Sequence, residues 1–236
     1  MSYNAKLTIS IGFLAIQTAQ GNEEPLLSIS SLITTDNITG HQKLALNHRE
    51  LSAIPDDITN LTDLNILYVA GNYLTALPKG IENLTNLTEL WMGGNSFSIF
   101  PIEIVKLKNL RELDVSNNQL TTLPEEISTL TTLTELELCG NQLMALPEGI
   151  GNLKNLELLE VDNNKLTTLP CNFANLTNLK NLRLNENELP TIPSVLPSLV
   201  NLEILSIHYN PFPESKWRLL PSSGSYFIRD KEVKEI

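Results

Sequence analysis

Seven asparagines recur at intervals of 23 residues, and this spacing constrains the fold more than any other feature of the chain. They are Asn72, Asn95, Asn118, Asn141, Asn164, Asn187 and Asn210. Each lies in one frame, L-x-x-L-x-L-x-x-N-x-L-x-x-L-P-x-x-I-x-x-L-x-x. A fixed period of this size is typical of a coil that is repeated and stacked, so that each repeat contacts only its neighbours. The sequence therefore predicts a solenoid, whose function depends on the side chains that line one surface.

The frame predicts a short strand in each coil. Position 4 is leucine throughout, and position 6 is always apolar, as in Leu113 with Val115 or Leu136 with Leu138. Residues two apart share one face of a strand, so positions 3, 5 and 7 are expected to point into solvent. Proline recurs at position 15 and has no N–H to donate to a sheet. The returning side of each coil is therefore expected to be irregular, short-helical or extended.

The recurring asparagine has a structural interpretation. A tight coil leaves backbone N–H and C=O groups pointing inward at the turn after the strand, and unpaired buried groups cost free energy. An asparagine side chain both donates and accepts, so it can bridge its own loop to the next coil.

This pattern resembles the leucine-rich repeat, and the resemblance covers residues 44–212. The 23-residue spacing with its L-P-x-x-I segment is similar to the intracellular Ras-group repeats of proteins such as Scribble and Erbin, and many bacterial repeat proteins share it. The resemblance implies a right-handed α/β solenoid, a horseshoe with a parallel β-sheet on its concave face that binds proteins. We assign residues 41–212 to about seven and a half repeats.

The two ends fall outside the frame. Residues 1–40 have two interpretations, a folded N-terminal cap or a bacterial signal peptide, because the apolar run 7–16 precedes the small residues of 19–21. Residues 213–236 are expected to form a C-terminal cap and a charged tail, with Trp217, Leu219 and Leu220 joining Phe212 over the last coil. Two cysteines too far apart to pair, Cys139 and Cys171, favour a reducing cytoplasm. Export through the N-terminal segment is the alternative.

Composition and motifs exclude several classes of function. A net charge of −11 and a pI near 4.7 argue against binding to nucleic acid or to an anionic membrane surface. The sequence has no run of 18 apolar residues, so we expect no membrane insertion. It contains no H-E-x-x-H, C-x-x-C, P-loop, G-x-S-x-G or G-x-G-x-x-G motif, and its three histidines lie in distant coils or in one loop. We therefore expect no catalysis, no cofactor and no metal.

The outward strand positions predict the binding surface. They combine an aromatic pair, a set of carboxylates and one closing cation, and the candidate partner-binding residues are Tyr68, Glu89, Trp91, Glu112, Asp114, Glu135, Glu137, Glu160, Asp162 and Arg183. Aromatic residues are enriched at binding hot spots, and aligned carboxylates attract basic groups. We interpret this face as a site for a protein or peptide with basic residues and one apolar residue. The alternatives are a charged face that only keeps the protein in solution, and an exported bacterial adhesin or virulence-type factor that uses the same face.

Overall fold

The structure is a computed structural model that describes residues 42–212 and the backbone of two further strands, Tyr226–Arg229 and Glu232–Lys234. The predicted N-terminal segment 1–40 lies outside the described residues, as do Trp217, Leu219 and Leu220 of the predicted cap.

Each coil contributes one short strand to a single sheet. The first eight strands are β1 Gln42–Ala45, β2 Leu64–Tyr68, β3 Glu89–Trp91, β4 Glu112–Asp114, β5 Glu135–Glu137, β6 Leu158–Glu160, β7 Asn181–Arg183 and β8 Ile204–Ser206. Each strand pairs in parallel with the next. The sheet continues through β9 (Tyr226–Arg229), parallel to β8, and β10 (Glu232–Lys234), antiparallel to β9. The predicted repeat strand is confirmed.

The returning side of each coil is a 3-10 helix, one of the options that the proline column predicted. The seven helices are Asp56–Asn60, Ile81–Asn83, Ile102–Lys106, Glu125–Thr129, Glu148–Asn152, Cys171–Asn175 and Leu196–Ser198. Five of them begin directly after the frame proline. Proline suits this place because its fixed φ leads into a helical turn, and the first N–H groups of a helix have no partner inside it.

The core is one continuous column along the solenoid. The frame leucines stack on their equivalents in the next coil, so that Leu90, Leu113 and Leu136 are at most 1% exposed. Phe97 and Phe173 are buried in the same column, and Phe212 is buried near the end of the repeats. Because every coil buries the same face, the sheet keeps one register from Lys43 to β8, with a shift only between Gln42 and Lys43 at the start of β1.

The frame asparagines form the predicted ladder. Asn141 is representative: its Oδ1 accepts the N–H of Leu120 at 3.0 Å, and its Nδ2 donates to the carbonyls of Val115 and Leu138, each at 3.0 Å. All seven frame asparagines accept a backbone N–H from the preceding coil in this way. The ladder fixes each coil on its neighbour.

A second ladder precedes the strands and was not predicted. At frame position 23 the side chains of Asn86, Asn109 and Asn155 donate to the backbone carbonyl 24 residues earlier, as Asn178 and Asn201 do. The asparagine that recurs directly before the first leucine of the frame thus has a structural role on the exposed edge of the coils.

Candidate functional site

The parallel register brings all ten predicted partner-binding residues onto one face. One row of this face runs through Glu89, Glu112 and Glu135, and the next through Tyr68, Trp91, Asp114, Glu137, Glu160 and Arg183. Asp162 follows Glu160 by two residues and belongs to the same face. Residues 23 positions apart in the sequence therefore become neighbours.

The carboxylates on this face form a band that we call the acidic field. Its members are Glu89, Glu112, Asp114, Glu135, Glu137, Glu160 and Asp162. The first row is acidic on β3, β4 and β5, whereas the second is acidic on β4, β5 and β6, so the field crosses the sheet diagonally. It spans three strand spacings, or about 14 Å at roughly 4.8 Å each.

The acidic field is more buried than predicted. Its side chains were expected to point fully into solvent, but most are half-buried and Asp114 is only 8% exposed. Asp114 lies deepest because Gly93 has no side chain: a β-carbon built there would lie 2.5 Å from Oδ2 of Asp114, so the carboxylate occupies that space. The N–H of Ser116 donates to Oδ1 of Asp114 at 2.8 Å and fixes it there.

Burial and mutual repulsion bring the pKa values of two of these carboxyls close to neutral pH. Burial, and then the charges of Asp114, Glu160 and Glu135, raise the pKa of Glu137 to about 7, against the opposing effect of Arg183. Burial raises the pKa of Asp162 to about 6, although a backbone N–H donated to its carboxylate works in the other direction. The charge of the field therefore changes between weakly acidic and weakly alkaline pH.

An aromatic pair borders the field on the N-terminal side. Tyr68 and Trp91 meet edge to face, with ring centroids 5.8 Å apart and planes at 73°. The Tyr68 hydroxyl donates to Glu89 at 3.1 Å, and burial together with this hydrogen bond raises the pKa of Tyr68 to about 12. The ammonium of Lys43 lies 4.0 Å from the centre of the Tyr68 ring. Lys43 was not among the predicted site residues, although its place at position 3 of the coil before Tyr68 was a usable signal.

The opposite border is formed by a cation and a thiol. The Nε of Arg183 lies 3.2 Å from Oε1 of Glu160, so this guanidinium partly neutralises the end of the field. The thiol of Cys139 donates to the other oxygen of Glu160 at 3.8 Å. Burial and the nearby carboxylates of Asp162 and Glu160 raise the pKa of the Cys139 thiol to about 12. Cys139 and Cys171 are both free thiols.

The described ranges contain neither a metal cluster nor a membrane span. Within residues 42–212 and the two following strands, no three His, Cys, Asp or Glu side chains are arranged to hold a metal ion. The helices of this same part of the chain are all too short or too polar to cross a bilayer. The chemical groups that this face presents are carboxylates, a guanidinium and two aromatic rings.

Comparison of the sequence with family models shows which family the chain belongs to. Residues 125–216 match the family described as "Leucine-rich repeat region", and residues 85–131 match "Leucine Rich repeats (2 copies)". The chain is a leucine-rich-repeat protein, as its sequence frame predicted. No curated protein matches it. The narrower resemblance to Ras-group repeats stays a prediction.

Several solved structures are similar over most of the described chain. A leucine-rich-repeat protein of Leptospira interrogans is 39% identical with a TM-score of 0.63, and the match covers 75% of this chain and 51% of that one. An internalin of Listeria monocytogenes is 26% identical with a TM-score of 0.67, covering 80% and 56%. The plant peptide hormone receptor RGFR1, in complex with RGF2, is 27% identical with a TM-score of 0.63, covering 79% and 35%. This chain thus spans about half the length of these proteins or less.

Proposed function

We propose that this protein is a non-enzymatic binding module that holds a basic protein or peptide on its concave sheet face. The observation that carries the proposal is the register, which aligns seven carboxylates beside an aromatic pair on one open face. Binding of proteins and peptides is common among leucine-rich-repeat proteins, and the plant peptide hormone receptor named above, which is in complex with RGF2, is similar over most of this chain.

The energetics of the acidic field favour a binding role over a solubilising one. Like charges directly opposite each other on paired strands destabilise a sheet by a few tenths of a kcal/mol to about 1 kcal/mol. Acidic residues on the outer side of the coils would keep the protein in solution without that cost. A basic partner would remove the repulsion, speed association and make the affinity sensitive to salt.

The aromatic pair adds the second element of a binding site. Trp91 is half-buried, and its indole N–H is buried without a hydrogen-bond acceptor among residues 42–212. Leaving a buried donor unpaired costs free energy. A partner can contact the exposed part of the ring and not the buried N–H. Because tryptophan is enriched at binding hot spots, we expect Trp91→Ala to cost about 2 kcal/mol of binding.

A peptide selection tests the proposal and requires no named partner. Peptides are selected from a random displayed library on the wild-type protein and then measured against two double variants. Glu112→Lys with Glu137→Lys reverses two charges within the acidic field. Glu126→Lys with Glu188→Lys makes the same change at exposed positions outside the sheet.

We expect the selected peptides to be rich in lysine and arginine. They should lose at least about tenfold in affinity for the first variant and keep their affinity for the second, with the loss largest at low salt. Selected peptides without a basic bias, or equal binding to both variants, would contradict the proposal.

An exported bacterial adhesin or virulence-type factor that uses the same face is the second candidate. The observation in its favour is that two of the similar structures come from bacteria. The N-terminus of the protein in its native source distinguishes the two: a mature chain that starts at residue 22 supports export, and one that retains residues 1–21 supports the cytoplasm.

A further inference from the structure

We propose that Trp91 and Asp114 together form the seat of one arginine side chain of the partner, so that the aromatic pair binds a cation and not an apolar residue. This inference rests on the proposed function and specifies which chemical group of the partner meets the aromatic end of the field.

The register places an aromatic ring and a buried carboxylate side by side. Trp91 lies between Tyr68 on β2 and Asp114 on β4. Gly93 follows Trp91 by two residues and faces the same side of the sheet. The Asp114 carboxylate fills the space over Gly93, with both oxygens within 3 Å of where a β-carbon would stand. A group seated on Trp91 toward β4 therefore meets that carboxylate.

A cation is already held by the other ring of the pair. The ammonium of Lys43 lies over Tyr68, whose hydroxyl in turn donates to Glu89. This arrangement favours positive charge at the aromatic end, since the ring faces are electron-rich and the carboxylates of Glu89 and Asp114 are adjacent to them. Tryptophan is the strongest of the aromatic side chains in such contacts.

An apolar side chain would fit this place poorly. It would remove the remaining water from the carboxylate of Asp114, a residue that is only 8% exposed and whose Oδ1 accepts the N–H of Ser116, without supplying another donor. Removing water from an ionised group without a compensating partner is costly. A guanidinium can stack its plane on Trp91 and donate to Asp114 at the same time, which the point charge of a lysine does less well.

Nuclear magnetic resonance of the indole groups tests the seat directly. The chain has two tryptophans, and Trp91→Phe identifies the indole signal of Trp91. Three tripeptides serve as probes: acetyl-Gly-Arg-Gly-amide, its citrulline analogue, which has nearly the same shape without the charge, and its leucine analogue. We expect the arginine peptide to shift the Trp91 signal with a Kd at least about fivefold lower than that of the citrulline peptide. The leucine peptide should bind more weakly still.

Two variants that each remove one carboxylate charge distinguish a local seat from a diffuse field. Asp114→Asn keeps the side-chain shape and an oxygen that can accept the N–H of Ser116, and we expect it to raise the Kd of the arginine peptide at least about fivefold. Glu135→Gln removes the same charge from the acidic field, one strand farther from Trp91, and should change the Kd less than about twofold.

Equal loss in both variants, or binding of the leucine or citrulline peptide as tight as that of the arginine peptide, would overturn the seat. Those outcomes would leave the proposed function standing, because basic peptides selected on the wild-type protein would still depend on the field as a whole. Failure of the peptide selection itself would instead remove the proposed function.

Discussion

Replacing Glu137 by glutamine removes the charge at the centre of the acidic field and keeps the shape of the side chain. Burial and the carboxylates of Asp114, Glu160 and Glu135 raise the pKa of Glu137 from 4.5 to about 7. The folded chain thus holds the ionised side chain at a cost, and we expect Glu137→Gln to stabilise the fold wherever Glu137 is ionised.

The size of this effect follows from the pKa. Each unit of pKa corresponds to about 1.4 kcal/mol, so the interval from 4.5 to about 7 sets an upper limit of about 3.5 kcal/mol. Because the side chain is only half-buried, solvent screens part of this energy, and we expect a gain of about 1–2 kcal/mol. Below pH 4.5 the carboxyl is protonated in both the folded and the unfolded chain, and the cost is absent. It grows as the pH rises from 4.5 to 7, because the unfolded chain loses its proton first, and it is complete above pH 7.

Urea unfolding followed by circular dichroism measures this difference at pH 5 and pH 8. We expect Glu137→Gln to raise the free energy of unfolding by about 1–2 kcal/mol at pH 8 and by only about 0.6–0.8 kcal/mol at pH 5, with an unchanged denaturant slope. Glu188→Gln, at an exposed position outside the sheet, should stay within about 0.5 kcal/mol of wild type at both values. A gain of equal size at both pH values, or a loss at pH 8, would refute the reasoning.

Three further outcomes are expected. A pentalysine peptide should bind more tightly at pH 8 than at pH 5.5, because carboxyls such as Glu137 ionise in that interval, and titration calorimetry that finds the opposite order would count against the field. Asn141→Ala should lower the free energy of unfolding by about 2–4 kcal/mol, since it leaves buried backbone groups unpaired, whereas Asn155→Ala in the exposed ladder should cost less than about 1 kcal/mol. At pH 8 an aromatic disulfide reagent should modify the exposed Cys171 well before Cys139, because burial and nearby carboxylates raise the pKa of the Cys139 thiol to about 12. Similar rates for the two thiols would show that Cys139 is not buried beside these carboxylates.

Most of the fold was predictable from the sequence because the same local pattern recurs in every repeat. Leu113 and Val115 indicate a strand on their own only weakly, but the same pair of positions in every coil makes the assignment firm. The prolines predicted that the return is not a central strand and left three options open. The choice among these depends on backbone hydrogen bonds such as that from the Leu130 N–H to the Ile127 carbonyl, which close a 3-10 turn and have no signature in the frame.

The residues that form the candidate site were also predictable, whereas the degree to which their side chains are buried was not. Alignment of Asp114 with Glu137 follows from the period alone, since the register of a sheet with one buried face cannot slip. The burial of Asp114 depends on the missing side chain of Gly93 in the preceding coil, which is a relation between two columns of the frame. The raised pKa of Glu137 depends in turn on that depth. The frame places Lys43 in the coil before Tyr68, but the contact between its ammonium and the ring also depends on side-chain conformation, which the period does not determine.

The solenoid explains how a protein can carry a face that opposes its own stability. Each coil adds its own buried leucines and its own asparagine bridge, so most of the stability accumulates along the chain from groups other than the concave side chains. Repulsion of up to about 1 kcal/mol for each like-charged pair is small beside the 2–5 kcal/mol that one core leucine typically contributes. A binding role for the acidic field therefore requires a joint result for Glu137→Gln: a more stable fold at pH 8 together with weaker binding of a basic peptide. A variant that gained stability and lost no affinity would show that the repulsion is present and that binding makes no use of it.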